Sequence, residues 1–272
     1  MIPRCRLLAL SLAIAGLSVF ASTAAATPWI NPSTGNPYHW ARTANPFTVK
    51  LGNNVTSAWT TYLNGTSLDW SKTGPLTDYF LNFTTTNPLR STVVTGLTTG
   101  RKCRPTTGRV EVCNAAYGNN GWLGVASIWA SGDHITQGTV QLNDTYYGSG
   151  SSYNTPIWRK AVACQEIGQA FGLDHQDTTG ANFHTCMDYA TAPDDWNTRP
   201  NRLDYSTLET SYAHLDSTNT IAAATTTTGR RGLHRVRDGL YVEDLGGGNR
   251  RFVWVVWAAP SVFHSAPDEG GG

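Results

Sequence analysis

The sequence around residue 165 restricts the fold of this chain more than any other segment, because it predicts a helix that gathers polar side chains on one side. Gln165 and Gln169 are four positions apart, so a helix directs both side chains the same way. Gly172 allows the chain to turn sharply, which brings His175 back toward that side. Two helix side chains and a third group that returns to them are typical of a tetrahedral metal site.

The same segment has the pattern Q-E-x-x-Q-x-x-G-x-x-H, which resembles the H-E-x-x-H-x-x-G-x-x-H helix motif of the metzincin zinc endopeptidases. The resemblance covers most of residues 38–215 and is nearest to secreted bacterial proteins described as matrixin-like. It implies that Gln165, Gln169 and His175 are zinc ligands, with glutamine at two of the three histidine positions. It also implies that Glu166 is the catalytic base that deprotonates the attacking water.

Further positions match the metzincin pattern one at a time. Met187 lies twelve residues after His175 and implies a Met-turn, an apolar floor beneath the metal. Tyr189 implies a catalytic tyrosine that supports the oxyanion of the tetrahedral intermediate. Residues 121–127 resemble the edge strand that such enzymes pair with an extended peptide substrate. His134 is either a ligand of a second metal site or a surface histidine.

The glutamines weaken the predicted zinc site. A glutamine offers only a neutral amide oxygen, so each replaced histidine forfeits about 3 kcal/mol of zinc binding if a site worth roughly 10–16 kcal/mol is shared among four ligands. Asp174 or His184 is a candidate substitute ligand, although each is more simply explained as a solvated loop residue. Glu166 would have little reason to be charged on a buried helix without a metal or a donor, which favours a metal or a polar cleft. The pattern makes no prediction for calcium.

The first residues predict export from the cell. Arg4 and Arg6 precede an apolar run over residues 7–20, and three alanines follow at 24–26. This is the pattern of a signal peptide, which we assign to residues 1–26. The apolar run is shorter than the roughly 18 residues that a membrane span requires. We therefore expect a secreted, extracellular protein with no membrane attachment after signal removal.

Four cysteines remain after residue 26 and predict two disulfides, because the mature chain enters an oxidising compartment. Three pairings are possible, but proximity along the chain favours Cys103 with Cys113 and Cys164 with Cys186. A cysteine-based metal site is the competing interpretation, and the spacings lack the paired short form that such sites use.

Periodicity predicts an α+β fold. Apolar alternation predicts strands in residues 47–51, 91–97, 110–113, 123–130 and 138–142. Helical spacing predicts helices in residues 55–70, 156–172 and 205–215. Strands followed by helix, loop and helix indicate an α+β arrangement. The resemblance implies that this is a zincin-like domain over residues 27–215, with a twisted sheet, an active-site helix, a Met-turn and a C-terminal helix.

The C-terminal part has a different organisation. Residues 216–232 form a Thr-rich linker, and a run of glycines between two apolar segments predicts a β-hairpin over residues 233–257. An isolated hairpin is marginal in water, so we expect its apolar side to be covered by the main domain. Residues 258–272 are predicted to be disordered.

Three functional hypotheses follow. The first is a secreted zinc metalloendopeptidase that acts on peptide or protein substrates, as a monomer. The second is an inactive relative that binds extended peptides along its edge strand. The third is an extracellular protein that binds surfaces or carbohydrates through exposed aromatic residues.

With a net charge of +1 and 14% charged residues, the chain has no basic stripe for nucleic acid.

Overall fold

The structure is a computed structural model that describes residues 27–177, 181–189, 192–221 and 232–258. The predicted signal peptide, most of the predicted linker and residues 259–272 of the predicted tail lie outside these ranges. Among the described residues, no helix has the length and apolar character needed to cross a lipid bilayer.

The described residues form a mixed sheet and three α-helices, which confirms the predicted α+β class. The strands are β1 (His39–Trp40), β2 (Phe47–Asn54), β3 (Gly74–Thr77), β4 (Asn82–Thr85), β5 (Leu89–Thr95), β6 (Arg109–Ala115), β7 (Trp122–Ser131), β8 (His134–Asn143), β9 (His234–Arg237), β10 (Leu240–Gly246) and β11 (Asn249–Trp257). The helices are α1 (Ser57–Trp70), α2 (Pro156–Ala170) and α3 (Arg202–Ser211). Short 3-10 turns cover Asp144–Tyr146 and Trp196–Thr198.

Nine strands make the main sheet of the described chain, in the order β5-β2-β6-β8-β7-β11-β10-β9, with β1 paired to the start of β8. The pairs β2–β5, β2–β6 and β6–β8 are parallel, and the sheet becomes antiparallel from β8 onward. Strands β3 and β4 form a separate hairpin. The predicted strands are therefore present. The structure also has β1, β3, β4 and β9, which are too short to show the apolar alternation that predicts a strand.

Helix α2 begins and ends as its sequence predicts. The Thr155 side chain accepts a hydrogen bond from the Trp158 amide, and Pro156 occupies the first turn, where its missing N–H costs nothing. Gly172 follows the helix with φ of +93°, and a Cβ there would lie 2.2 Å from the Tyr38 carbonyl oxygen. Only glycine fits this turn, which directs the chain toward residue 175.

Buried tryptophans hold α2 against the rest of the core. Trp70 Nε1 on α1 donates to the Cys164 carbonyl at 3.0 Å, and Trp40 Nε1 on β1 donates to the Ala170 carbonyl at 2.9 Å. Both indole rings are fully buried. The two ends of the polar segment of α2 are therefore fixed by hydrogen bonds that no water competes for.

Both predicted disulfides are present. Cys103 is bonded to Cys113, and Cys164 is bonded to Cys186, with sequence separations of 10 and 22 residues. The second bond joins α2 to the segment around residue 187. Paired cysteines of this kind are typical of proteins that fold in an oxidising compartment.

The C-terminal hairpin is present as β10 and β11, and it extends the main sheet. Strand β11 runs antiparallel to β7 along its whole length, from Trp257 opposite Trp122 to Asn249 opposite Ser131. Residues 121–127 are therefore not a free edge, and that part of the prediction is wrong. The chain supplies its own partner strand, so the backbone groups at this edge of β7 are paired with β11.

Candidate functional site

The structure brings together two of the three predicted ligand positions. Gln169 Nε2 lies 2.8 Å from His175 Nε2, so the turn at Gly172 does return the chain to α2. Gln165 lies one turn earlier, and its Nε2 donates to the Asp188 carbonyl at 3.0 Å. The side chains of all three predicted ligands are buried.

The contact between Gln169 and His175 sets the state of the imidazole. An amide nitrogen can only donate, so Nε2 of His175 accepts and its proton resides on Nδ1. Burial lowers the pKa of His175 to about 4, more than the nearby Asp174 raises it, so the ring is neutral at neutral pH. Nδ1 has no hydrogen-bond partner within the described residues.

Glu166 is a fully buried acid on the sheet-facing side of α2. Its carboxyl oxygens have no side-chain hydrogen-bond partner among the described residues, and a Cβ on Gly124 of β7 would lie 2.6 Å from one of them. Burial raises the pKa of Glu166 well above its usual range, and the backbone amides of Ala126 and Val256 offset only part of this effect. Burial therefore favours the neutral acid over the carboxylate that a general base requires.

The segment with the predicted Met-turn packs directly beneath α2. Met187 is fully buried, and a Cβ on Gly168 would lie 2.5 Å from its sulfur atom. The Tyr189 ring lies edge-on to the His175 ring, with 5.3 Å between centroids. The Tyr189 hydroxyl accepts a hydrogen bond from the Trp257 amide at 3.3 Å. Tyr189 thus contacts both the helix motif and the C-terminal strand.

The two candidate substitute ligands are engaged elsewhere. Asp174 forms an ion pair with Arg237 of β9 and accepts a hydrogen bond from the backbone of residue 175. His184 stacks on Tyr79 at 3.5 Å between ring centroids and pairs with Asp194 at 3.1 Å. Neither side chain completes a ligand set with Gln165 and Gln169.

The C-terminal strands shield the whole motif, which the sequence did not indicate. Glu166 and Gln169 are 0% exposed, and His175 is 5% exposed. The Trp257 amide is hydrogen-bonded to Tyr189. Gly239, in the turn before β10, lies so close to the motif that a Cβ added there would contact the rings of both Tyr189 and His175. The apolar run of β11 was the available signal, but it does not identify a partner strand about 130 positions away in the sequence.

The side chains as they are arranged do not fit a zinc ion. The lone pair of His175 Nε2 that would bind a metal is occupied by the Gln169 amide, and Gln165 directs its amide nitrogen at the Asp188 carbonyl. The 2.8 Å between Gln169 and His175 is also shorter than the separation of about 3.3 Å between two ligands of a tetrahedral zinc. One imidazole and two amides form a weak donor set for zinc in any case.

The aromatic residues of the C-terminal hairpin do not form an exposed surface. Tyr241, Phe252, Trp254 and Trp257 are all buried, at 6% exposure or less. The hypothesis of a carbohydrate-binding surface on this hairpin therefore has no support from these side chains.

Comparison with models of protein families finds no match for this chain, and comparison with curated proteins likewise finds none.

Proposed function

We propose that this protein is a secreted, non-hydrolysing relative of the metzincin endopeptidases that binds extended peptide along β7, where its own C-terminal strand is the resident occupant. The observation that carries the proposal is the antiparallel pairing of β11 with β7, from Trp257 opposite Trp122 to Asn249 opposite Ser131. Addition of a strand to a sheet edge is a common mode of peptide recognition, with backbone hydrogen bonds for affinity and side-chain pockets for specificity.

Loss of hydrolysis is supported by the chemistry beside that strand. A peptidase of this class needs an electrophile and an ionised base, whereas burial raises the pKa of Glu166 well above its usual range and His175 is bonded to Gln169. Export is supported by the N-terminal sequence pattern and by the two disulfides.

The side chains at the β7–β11 pairing indicate what a peptide must offer. A second apolar cluster lies on one face of these strands and comprises Trp122, Val125, Tyr241, Val253, Val255 and Trp257. Alternate residues of β11 enter this cluster, while the intervening residues face the main core. A competing peptide therefore needs branched aliphatic or aromatic side chains at alternate positions.

An exchange experiment tests the binding function. A specific protease site replaces residues 224–229 of the linker, and the cleaved protein is mixed with a labelled peptide of residues 232–258. We expect the cleaved protein to take up the labelled peptide, and the uncleaved protein to take up none because its tethered strand has a high effective concentration. A labelled peptide with Val253 and Val255 changed to Asp is the matched control. Equal uptake of both peptides would contradict the proposal.

Loss of hydrolysis is tested separately with casein. Wild-type protein with added zinc is expected to be inactive, and the double variant Gln165→His, Gln169→His restores the metzincin ligand pattern. If the two glutamines are the reason that hydrolysis is lost, the double variant should bind more zinc at α2 than the wild type does. Adding His175→Ala to the double variant should reduce that zinc binding again. Casein hydrolysis by the wild type that Glu166→Gln abolishes would contradict the proposal.

A second candidate, an active zinc endopeptidase, is favoured by one observation. The carboxyl oxygens of Glu166 and Oε1 of Gln169 are buried acceptors with no side-chain partner among the described residues, and such atoms are costly unless something binds them. In that case His175→Ala should remove bound zinc from the wild-type protein and Glu166→Gln should remove hydrolysis.

A further inference from the structure

A cluster of histidines and one aspartate lies away from the α2 motif, where β1, the start of β8 and the segment after α3 meet. His39 belongs to β1, His134 begins β8, and His214 and Asp216 follow α3. The Oδ1 atom of Asp216 is 3.2 Å from Nε2 of His39, 3.2 Å from Nε2 of His134 and 3.5 Å from Nε2 of His214. Segments up to 177 positions apart therefore direct potential ligand atoms at one point.

Three of these atoms form a nearly equilateral triangle. The third edge, between Nε2 of His39 and Nε2 of His214, is 3.2 Å, so all three edges lie between 3.2 and 3.5 Å. Ligands bound to one tetrahedral zinc at about 2.0–2.1 Å are separated by about 3.3 Å. The triangle therefore has the size of one face of a zinc coordination tetrahedron.

The hydrogen bond on the other side of His39 leaves the Nε2 lone pair of the neutral ring available to a cation. Nδ1 of His39 is 2.7 Å from the Pro37 carbonyl, and a carbonyl can only accept, so the proton of the neutral ring is on Nδ1. Nε2 then presents a lone pair to a carboxylate oxygen. A metal-binding histidine typically has this arrangement, with its second nitrogen donating to a carbonyl.

Arg42 holds the aspartate and the histidine segment in position. Its Nη1 donates to Oδ2 of Asp216 at 2.9 Å, which leaves Oδ1 free for the cluster. Its Nη2 donates to the carbonyls of Tyr212 and His214. The Arg42 side chain is 1% exposed, so these bonds are shielded from water and orient the ligands as an outer shell does in metal sites.

We propose that Nε2 of His39, Nε2 of His214 and Oδ1 of Asp216 bind a zinc ion that ties β1 to the segment after α3, with water at the fourth position. Two imidazoles and one carboxylate are a good donor set for zinc. His134 also reaches Oδ1 but does not lie within 4.8 Å of all three ligand atoms, so it is a neighbour of the site. The His214 side chain is 47% exposed, so the site opens to solvent. The proposal does not depend on the proposed function.

The test is zinc titration of the chelator-treated, full mature protein by calorimetry, with cobalt as a spectroscopic probe. We expect one high-affinity zinc per chain, a visible cobalt spectrum of tetrahedral type, and a higher Tm with zinc. His214→Ala should weaken zinc at least about 100-fold, because loss even of an outer-shell partner costs 10–100-fold. His214→Gln serves as the second variant if His214→Ala does not fold.

His184→Ala is the matched control, since His184 also pairs with a carboxylate, at 3.1 Å, but has no second histidine beside that pair among the residues that the structure describes. It should leave zinc affinity unchanged. Absence of zinc binding by the wild type would overturn the proposal, and so would unchanged affinity in His214→Ala. Loss of the zinc in His175→Ala, with retention in His214→Ala, would place the ion at α2 and would overturn it as well.

Discussion

The sulfur atom of Met187 lies so close to Gly168 on α2 that a single added methyl group would collide with it. A Cβ at residue 168 would be 2.5 Å from this sulfur and 2.5 Å from Cζ2 of Trp70. Met187 can adjust its torsions, but the Trp70 ring is fixed by its hydrogen bond to the Cys164 carbonyl. Helix α2 and the segment around Met187 therefore approach as closely as they do only because residue 168 has no side chain.

We predict that Gly168→Ala lowers the free energy of unfolding by about 1–3 kcal/mol, the usual cost of overpacking a core. The matched control is Gly65→Ala on α1, where the nearest atom to the new Cβ is Lys160 Cε at 3.9 Å. Gly65→Ala should stabilise by up to about 1 kcal/mol, because alanine is the better helix former. Urea unfolding measures the change in the free energy of unfolding for each variant. Changes of the same sign in the two variants would contradict the close packing of residue 168 against Met187 and Trp70.

The two disulfides should contribute unequally to stability. Replacing Cys164 and Cys186 by alanine opens a loop of 22 residues, and the chain-entropy relation gives a loss of about 3 kcal/mol. Replacing Cys103 and Cys113 opens a loop of 10 residues, for which the same relation gives roughly 0.7 kcal/mol less. Urea unfolding of the two double variants should preserve that order. A larger loss for the shorter loop would show that native-state packing, and not loop entropy, dominates.

Local sequence signals predicted those parts of the fold that depend on neighbouring residues. Helix α2 was predicted from Pro156 to Gly172 because the proline, the apolar spacing and the glycine act within one segment, and the structure has Pro156–Ala170. Helix α3 begins at Arg202, earlier than predicted, because the Asn201 side chain and Asp204 form a capping box. Both disulfides were predicted from sequence proximity alone.

Long-range pairing was not predictable in the same way. The apolar pattern of residues 249–257 predicts a strand but does not predict which strand it pairs with. The sequence therefore does not predict that β11 pairs with β7 and covers the α2 motif. The cluster around Asp216 was missed for a similar reason, because only His134 was noted as a possible second-site ligand. Its members come from three separate segments, and no spacing within the sequence connects His39 to residues 134 and 214.

The raised pKa of Glu166 should produce a characteristic pH dependence of stability. Its folded pKa is raised well above the unfolded value of about 4.3, so the folded state keeps a proton that the unfolded state releases as pH rises. Near pH 4 Glu166 is protonated in both states and does not lower the free energy of unfolding. Above pH 4 the free energy of unfolding falls by up to about 1.4 kcal/mol per pH unit until the folded pKa is reached.

We predict that Glu166→Gln removes this fall, so the stability of the variant relative to wild type increases from pH 4 to pH 8. Urea unfolding at several pH values measures the difference. Glu209→Gln on α3, whose carboxylate accepts hydrogen bonds from Thr85 and the Thr86 amide, is the control for loss of an acidic side chain. A pH-independent difference for Glu166→Gln would mean that residue 166 is ionised in the folded protein.

The hydroxyl of Tyr189 links the α2 motif to the end of β11, so its removal should loosen that strand selectively. In Tyr189→Phe the Trp257 amide loses an acceptor 3.3 Å away, which should cost about 1 kcal/mol. Because β11 is the last strand of the described chain, the loss should appear as faster hydrogen exchange in β11 and β10, with β2 and β6 unchanged.

The matched control for Tyr189→Phe is Tyr212→Phe. The Tyr212 hydroxyl is also buried, and it donates to the Phe171 carbonyl at 2.9 Å and accepts from the Trp40 amide at 3.2 Å. Its loss should accelerate exchange around β1 and the end of α2, and should leave β11 protected. Faster exchange of β11 in Tyr189→Phe alone would indicate that the C-terminal strand can separate from β7 as a unit, which peptide exchange along β7 requires. Uniform acceleration across the sheet would instead indicate that β11 opens only when the whole protein unfolds.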